Sequence, residues 1–118
     1  MNIYLAGPMR GIPDFNFPAF HKAAAELRAK GHTVFNPAER DEAEFGNITC
    51  PSGDENDFAK LVGFQSGLSV ARNCFLADTQ WICQFADAIA IIPGWETSRG
   101  AKAEKALGEA IGLEIIYL

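Results

Sequence analysis

Apolar positions along the chain fall into two kinds of pattern, short continuous runs and longer stretches stepped by three and four. Asn2 to Ala6 is a run closed by Gly7-Pro8, which predicts a buried strand stopped by turn residues. Phe17, Phe20, Ala24 and Leu27 follow helical spacing behind Asn16 as a cap, with Pro18 tolerated in the first turn and Gly31 as the stop. Thr33 to Phe35 predicts a second strand, ended by Asn36-Pro37. Ala38 to Asp57 is polar, acidic and rich in turn formers, including Gly46, Pro51 and Gly53, and is expected to be an irregular excursion of the kind that serves as a lid. Leu68, Ala71, Phe75, Asp78, Ile82 and Phe85 then form the stripe of a core-facing helix, interrupted by one carboxylate. Ala88 to Ile92, bounded by Asp87 and Pro93-Gly94, predicts a central parallel strand covered on both faces. A loop from Gly94 to Ser98 leads into a helix with apolar Ala103, Ala106, Leu107 and Ala110, closed by Gly112, and Glu114 to Tyr117 supplies a last strand.

This alternation predicts an α/β fold: a small three-layer, Rossmann-like or flavodoxin-like parallel sheet of four to five strands with helices on both faces. Composition agrees with one domain over residues 1–118, since 48% hydrophobic residues supply a sizeable core. The net charge of -5 argues against a nucleic-acid polymer as partner, which demands clustered Lys and Arg, but leaves room for a small anionic ligand held by local donors. Cys50, Cys74 and Cys83 are odd in number and irregularly spaced, as expected of reduced thiols. The first run lacks the features of a signal peptide and no apolar run approaches membrane length, so no membrane association and a cytoplasmic location are expected. His21 and His32 have no third ligand at metal-binding spacing, so no metal site is expected.

Ligands of such sheets bind beyond the carboxyl ends of the strands, where two loops stand out. Gly7-Pro8-Met9-Arg10-Gly11-Ile12-Pro13-Asp14 joins glycines that permit close backbone approach to an Arg able to grip a phosphate or carboxylate; it reads equally as a plain strand-to-helix turn. It has the spacing of neither a Walker A nor a dinucleotide fingerprint. The second loop, Gly94-Trp95-Glu96-Thr97-Ser98-Arg99-Gly100, offers Ser98 as a helix cap and leaves backbone N–H groups and the positive helix end free for an anion. Trp95 is suited to stack on a base, or else to pack as a lid or at an interface.

Two carboxylates follow these loops. Glu104 lies one turn past Gly100 and about 100° from Ala103, at the margin of the apolar face, where it is either half-buried beside a cleft or simply solvated like Lys105 and Glu109. Asp78 sits on an apolar stripe, where an unpaired carboxylate is costly. It either caps a fresh turn beginning at Thr79 or holds a proton near a ligand, its pKa raised by burial. Two carboxyls in differently tuned environments can divide nucleophilic and acid/base duties, as in glycosidic chemistry.

These residues resemble the nucleoside 2-deoxyribosyltransferase-like superfamily, including the 2'-deoxynucleoside 5'-monophosphate N-hydrolases and uncharacterised phage and bacterial relatives. The resemblance spans most of the chain. Tyr4-Leu5-Ala6-Gly7-Pro8-Met9-Arg10-Gly11 is similar to the family's first phosphate or nucleoside loop. Asp78-Thr79-Gln80-Trp81-Ile82, ahead of Ala86-Asp87, is similar to its acidic segment before the central strand, and Ser98-Arg99-Gly100 with Glu104 to its Ser-x-Gly-x-x-x-Glu. The resemblance implies that Glu104 attacks the anomeric carbon to form a glycosyl-enzyme, and that Asp78 assists the leaving base or positions the sugar. It implies also that Arg10, Ser98 and Gly100 take a 5'-phosphate, that no cofactor is needed, and that a homodimer or larger homo-oligomer completes the site. The Ala38 to Asp57 excursion and the Gly94-Trp95-Glu96 loop depart from the general pattern, so the base, sugar and acceptor do not carry over. Arg99 and Lys102 favour a phosphorylated ligand.

Two other readings share these features. A non-catalytic nucleotide binder, acting as sensor or sponge, would keep the fold and loops and turn nothing over. A flavodoxin-like module is disfavoured, because no aromatic pair flanks a Ser/Thr-rich phosphate loop.

Overall fold

A computed structural model describes all of residues 1–118. Nine regular elements run β1 (Asn2–Ala6), α1 (Phe17–Ala29), β2 (Thr33–Phe35), α2 (Pro37–Phe45), α3 (Glu55–Val62), α4 (Gly67–Phe85), β3 (Ala88–Ile91), α5 (Arg99–Ala110) and β4 (Glu114–Tyr117). The four strands form one all-parallel sheet in the order β2-β1-β3-β4, as the α/β reading required. The register aligns Tyr4 with Ile89 and Ala6 with Ile91, so β1 and β3 end together at one edge.

Strand periodicity divides the core. Ile3 and Leu5 of β1, with Ala88 and Ala90 of β3, face Phe20, Ala24 and Leu27 of α1. Tyr4, Ala6, Ile89 and Ile91 point the other way, onto Ile82 of α4 and Ala101 of α5. Both central strands are therefore covered twice, which accounts for their continuous apolar sequence. A third cluster, Cys50, Phe58, Ala59 and Val70, with Phe15 and Phe45 against it, joins α3 and α4 to the loop after β1.

Four expectations change at the level of local structure. Ala38 to Asp57 is largely helical: Asn36 caps α2 by accepting from the Ala38 N–H at 2.9 Å, and Asp54 caps α3 by accepting from Asn56 and Asp57. Only residues 46–54 remain irregular. The turn formers mark the boundaries of two short helices, and the acidic residues of α2 sit on a helix whose other face meets the core at Ala38.

Asn16 occupies the position before α1 but does not cap it. Asp14, Phe15 and Asn16 form a left-handed turn, with φ of 54°, 52° and 61°, and the Asn16 amide instead donates to the Pro8 carbonyl at 3.0 Å. Three L-residues in this region cost roughly 1–2 kcal/mol each, offset by Phe15 packing edge-on to Phe58 and by the Asp14 N–H donating to Cys50 O at 3.0 Å.

The buried stripe of α4 is Gly67, Val70, Asp78 and Ile82, so Leu68, Phe75 and Phe85 lie outside it and are exposed. The face of α5 is likewise displaced: Ala101, Glu104 and Gly108 are buried, whereas Ala103, Ala106 and Ala110 are exposed. The apolar residue types misplaced both faces, because alanine carries little directional information on a helix and tight packing selected the smaller Gly108. A Cβ there would stand 2.7 Å from Ile89 Cγ1. No helix is long and apolar enough to cross a membrane.

Candidate active site

The carboxyl edge of β1 and β3 opens into a cleft walled by the loop after β1, α2, the α3–α4 hairpin and the start of α5. At its floor stand Tyr4, Asp78 and Glu104. Tyr4 is wholly buried, and its place on β1 turns its ring to the side where α4 and α5 pack. Its hydroxyl donates to Glu104 Oε2 at 2.7 Å. Glu104 thus lies at the centre of the buried face of α5, not at its margin, with 6% of its surface exposed. Asp78 is 8% exposed and belongs to the uninterrupted interior of α4, which excludes the capping alternative. Its Oδ1 is buried without a hydrogen-bond partner.

The electrostatics follow from burial with little counter-charge: the Arg40 guanidinium pulls Asp78 down in part, and no cation acts on Glu104. Burial, and then the charge of Asp78, pushes Glu104 up from 4.5 to about 8, against the opposing Tyr4 hydrogen bond. Burial, and then the charge of Asp41, pushes Asp78 up from 3.8 to about 7. Tyr4 is driven well above its ordinary value by burial and by the two carboxylates, so it keeps its proton. The Tyr4 hydroxyl lowers both carboxyl pKa values, but its single proton is directed to Glu104. The two carboxyls titrate as a coupled pair, and at neutral pH the pair retains a proton.

The two loops singled out in the sequence meet at this edge. Gly7, Met9 and Arg10 line the cleft from one side and Ser98 and Gly100 from the other. Gly11 faces an adjoining hollow shared with Arg10, Thr97, Ser98 and Arg99. Gly7 is required by packing, since a Cβ there would stand 2.8 Å from Ile92 Cβ; Gly100 borders open space. Ser98 caps α5 as expected, accepting from the Ala101 N–H at 3.2 Å. The N–H groups of Arg99 and Gly100 have no partner within the chain and carry the positive end of the α5 dipole.

Arg10 pairs with Glu55 of α3 across the mouth, so the guanidinium is already neutralised. Gly11 N–H donates to Gly53 O at 2.9 Å on the same seam, and Gly53 must be glycine: its φ is 66° and a Cβ would stand 2.1 Å from Ile12 O. Trp95 is not brought to the site. It packs against Tyr117 at 6.0 Å between ring centroids, under the Lys105 ammonium at 5.4 Å.

Sequence reasoning passed over three groups of the cleft. Tyr4 carries a signal, since a tyrosine inside an otherwise apolar strand needs a partner for its hydroxyl. Asp41 was hidden by the irregular reading of its segment, and Glu55 by the same reading; only the helices α2 and α3 aim them inward.

The fold and site define a doubly covered parallel α/β domain with a coupled, buried carboxyl pair beneath a helix N-terminus at the carboxyl edge of the sheet. The chain belongs to the DUF4406 family, a domain of unknown function, which matches residues 1–117. No curated protein and no solved structure matches it.

Proposed function

We propose that this protein cleaves or transfers the N-glycosidic bond of a nucleoside 5'-monophosphate or related nucleotide, with Glu104 as nucleophile. One observation carries the reading: the Tyr4 hydroxyl donates to Glu104 at the floor of a cleft that Asp78, buried with an unpartnered oxygen, also lines, and the start of α5, with its free Arg99 and Gly100 N–H groups, borders that same cleft. The likeness of these motifs to nucleoside 2-deoxyribosyltransferase-like proteins supports it. A carboxyl pair holding one charge and one proton suits a retaining displacement. Burial raises Glu104 to about 8 and Asp78 to about 7, so in the free protein the shared proton rests first on Glu104. The nucleophile role requires it to pass to Asp78, a shift that the Tyr4 hydroxyl on Glu104 Oε2 and the unpartnered Asp78 Oδ1 both assist.

In the first step a Glu104 oxygen bonds to the anomeric carbon while the bond to the base breaks. The electron pair leaves with the base nitrogen, and Asp78 supplies the proton. In the second step water, or the nitrogen of another base, attacks the same carbon and gives its proton back to Asp78, and Glu104 leaves as carboxylate. No step calls on a cofactor or metal. A phosphate at the α5 N-terminus would be held by the Arg99 and Gly100 N–H groups and Ser98, with Arg10 joining once released from Glu55.

Incubation with a panel of nucleosides and nucleotides, scored for free base by chromatography, tests this. Base release is expected, faster from 5'-monophosphates than from nucleosides. Faster cleavage of nucleosides would overturn the phosphate assignment, and tight binding without base release over hours would leave a non-catalytic nucleotide binder.

The working form is proposed to be a homodimer or larger homo-oligomer in the cytoplasm, where the three free cysteines stay reduced. Leu68, Phe75 and Leu76 share one exposed apolar face of α4, and Phe75 also borders the cleft, so a second copy on this face would finish the site's wall. Light scattering coupled to size-exclusion chromatography is expected to give a dimer or larger; a monomer at working concentration would refute it.

A further inference from the structure

We propose that Asp41 reads the base, its Oδ2 accepting a hydrogen bond from an exocyclic amino group, which narrows the substrates to nucleotides of amino bases such as adenine or cytosine. The inference rests on the nucleotide reading of the cleft given above.

The sheet order places three segments side by side along the carboxyl edge: α2 after β2, the glycine loop after β1, and the α5 N-terminus after β3. Neighbouring strands are about 4.8 Å apart, so the carboxyl ends of β2 and β3, from which α2 and the loop to α5 depart, are about 10 Å apart. A ligand with its phosphate at α5 and its anomeric carbon over Glu104 therefore extends its base toward α2. Asp41 is the carboxylate that α2 contributes to the cleft, between Pro37 and the α4 residues Cys74 and Asp78.

Asp41 is held and incompletely used. Arg40 Nη1 donates to its Oδ1 at 3.1 Å, and the Cys74 thiol donates to the same oxygen at 3.7 Å. Oδ2 accepts from nothing in the chain. The second, independent observation is on α4: Asp78, 8% exposed and lining the same cleft, also has a buried oxygen without a partner. This wall is short of donors. The Tyr4 proton goes to Glu104, the Cys74 proton to Asp41, the Asp78 proton is committed to the leaving nitrogen of the base, and Arg40 is divided between Asp41 and Glu44. A base carbonyl turned to it would meet carboxylate oxygens, whereas an amino group would find an acceptor. Burial raises Asp41 from 3.8 to about 6, which leaves it ionised and accepting at neutral pH. Phe15, Phe17 and Phe58 line the adjacent cleft surface and suit a flat aromatic ring.

The test compares pairs of 5'-monophosphates that differ by amino against carbonyl, adenine with hypoxanthine and cytosine with uracil, by calorimetric affinity and by base release. Wild-type protein is expected to favour the amino member by roughly ten- to a hundredfold, the range for a hydrogen bond to a charged group. In Asp41→Asn the ratio is expected to fall to unity or below, the amino member binding more weakly and the carbonyl member, now offered an amide N–H, more tightly. A wild-type ratio near unity, which needs no variant, or a ratio unchanged in Asp41→Asn of wild-type thermal stability, overturns the assignment of Asp41. If no nucleotide of either kind binds or is cleaved, the nucleotide reading fails as well; normal base release without amino preference sinks only Asp41.

Discussion

Glu104→Gln is expected to lower base release by at least about a thousandfold while nucleotide affinity stays within a few-fold of wild type. The size follows from the role: an amide cannot form the glycosyl ester, so the two-step route is lost rather than slowed. Glutamine keeps the volume of the side chain and an oxygen for the Tyr4 hydroxyl, which now donates at 2.7 Å, so the buried face of α5 retains its packing. Glu104→Ala would also stop turnover but would leave the Tyr4 hydroxyl unsatisfied in the core, a cost of about 1–3 kcal/mol that confuses loss of chemistry with loss of fold. Tyr4→Phe separates positioning from chemistry, because it removes the hydrogen bond to Glu104 and leaves the nucleophile. Base release in single turnover, with affinity by calorimetry on the same preparations, is the measurement. Glu104→Gln with wild-type turnover would exclude the nucleophile assignment.

The legible part of this molecule was whatever depends on strand runs and loop chemistry. The strands and the Ser98 cap are dictated locally: three short apolar runs ended by Gly-Pro, Asn-Pro and Pro-Gly, a fourth that follows the helix stop at Gly112, and a hydroxyl ahead of a helix; their alternation with helices gives the parallel order. The loops Gly7–Asp14 and Gly94–Gly100 were placed at one edge by topology alone. Helix faces were not legible. On α4 the apolar residues outnumber the places that need them, so Leu68, Phe75 and Phe85 compete with Val70 and Ile82 for the core, and only the contacts with β1 and α3 decide. On α5 the sheet wants small residues, and Gly108 against Ile89 rotates the helix so that Glu104 turns fully inward. Trp95 illustrates the same limit, since a loop aromatic goes to the nearest apolar partner, here Tyr117, and sequence does not reveal where that partner stands. Tyr4 was present in the motif that carried the resemblance, yet its role needed the strand's parity and the arrival of α5 a hundred residues later.

Stability should rise as the solution is acidified from pH 8 to pH 5, the reverse of the usual behaviour of a protein with ionised, paired carboxylates. Glu104 is raised from 4.5 to about 8 and Asp78 from 3.8 to about 7, both chiefly by burial. A carboxyl whose folded pKa exceeds its unfolded value binds more protons folded than unfolded between those two values. Its contribution is complete below the unfolded pKa and is lost as the pH climbs through the folded one. For this pair the loss begins above about pH 4 and ends near pH 8, and Asp41, raised to about 6, acts in the same direction over the lower part of that window. Glu39, lowered mainly by its hydrogen bond from Arg28, opposes it only below its ordinary value of 4.5, which sets pH 5 as the acid end of the comparison. One pKa unit corresponds to about 1.4 kcal/mol, and mutual coupling shares the protons between the two carboxyls, so the gain from pH 8 to pH 5 should be roughly 2–4 kcal/mol. Urea unfolding at intervals of half a pH unit measures it. The double variant Asp78→Asn with Glu104→Gln should flatten the profile above about pH 6, leaving only the Asp41 part below it, and be the more stable protein at pH 8, because neither amide carries a charge into the core. Glu26→Gln, on the exposed face of α1, controls for relief of the net charge of -5 and should leave the slope in place. A wild-type profile that falls toward pH 5, or one that keeps its slope above about pH 6 in the double variant, would mean that the pair does not hold its proton in the folded protein, and the division into one acid and one base at the cleft floor would fall with it.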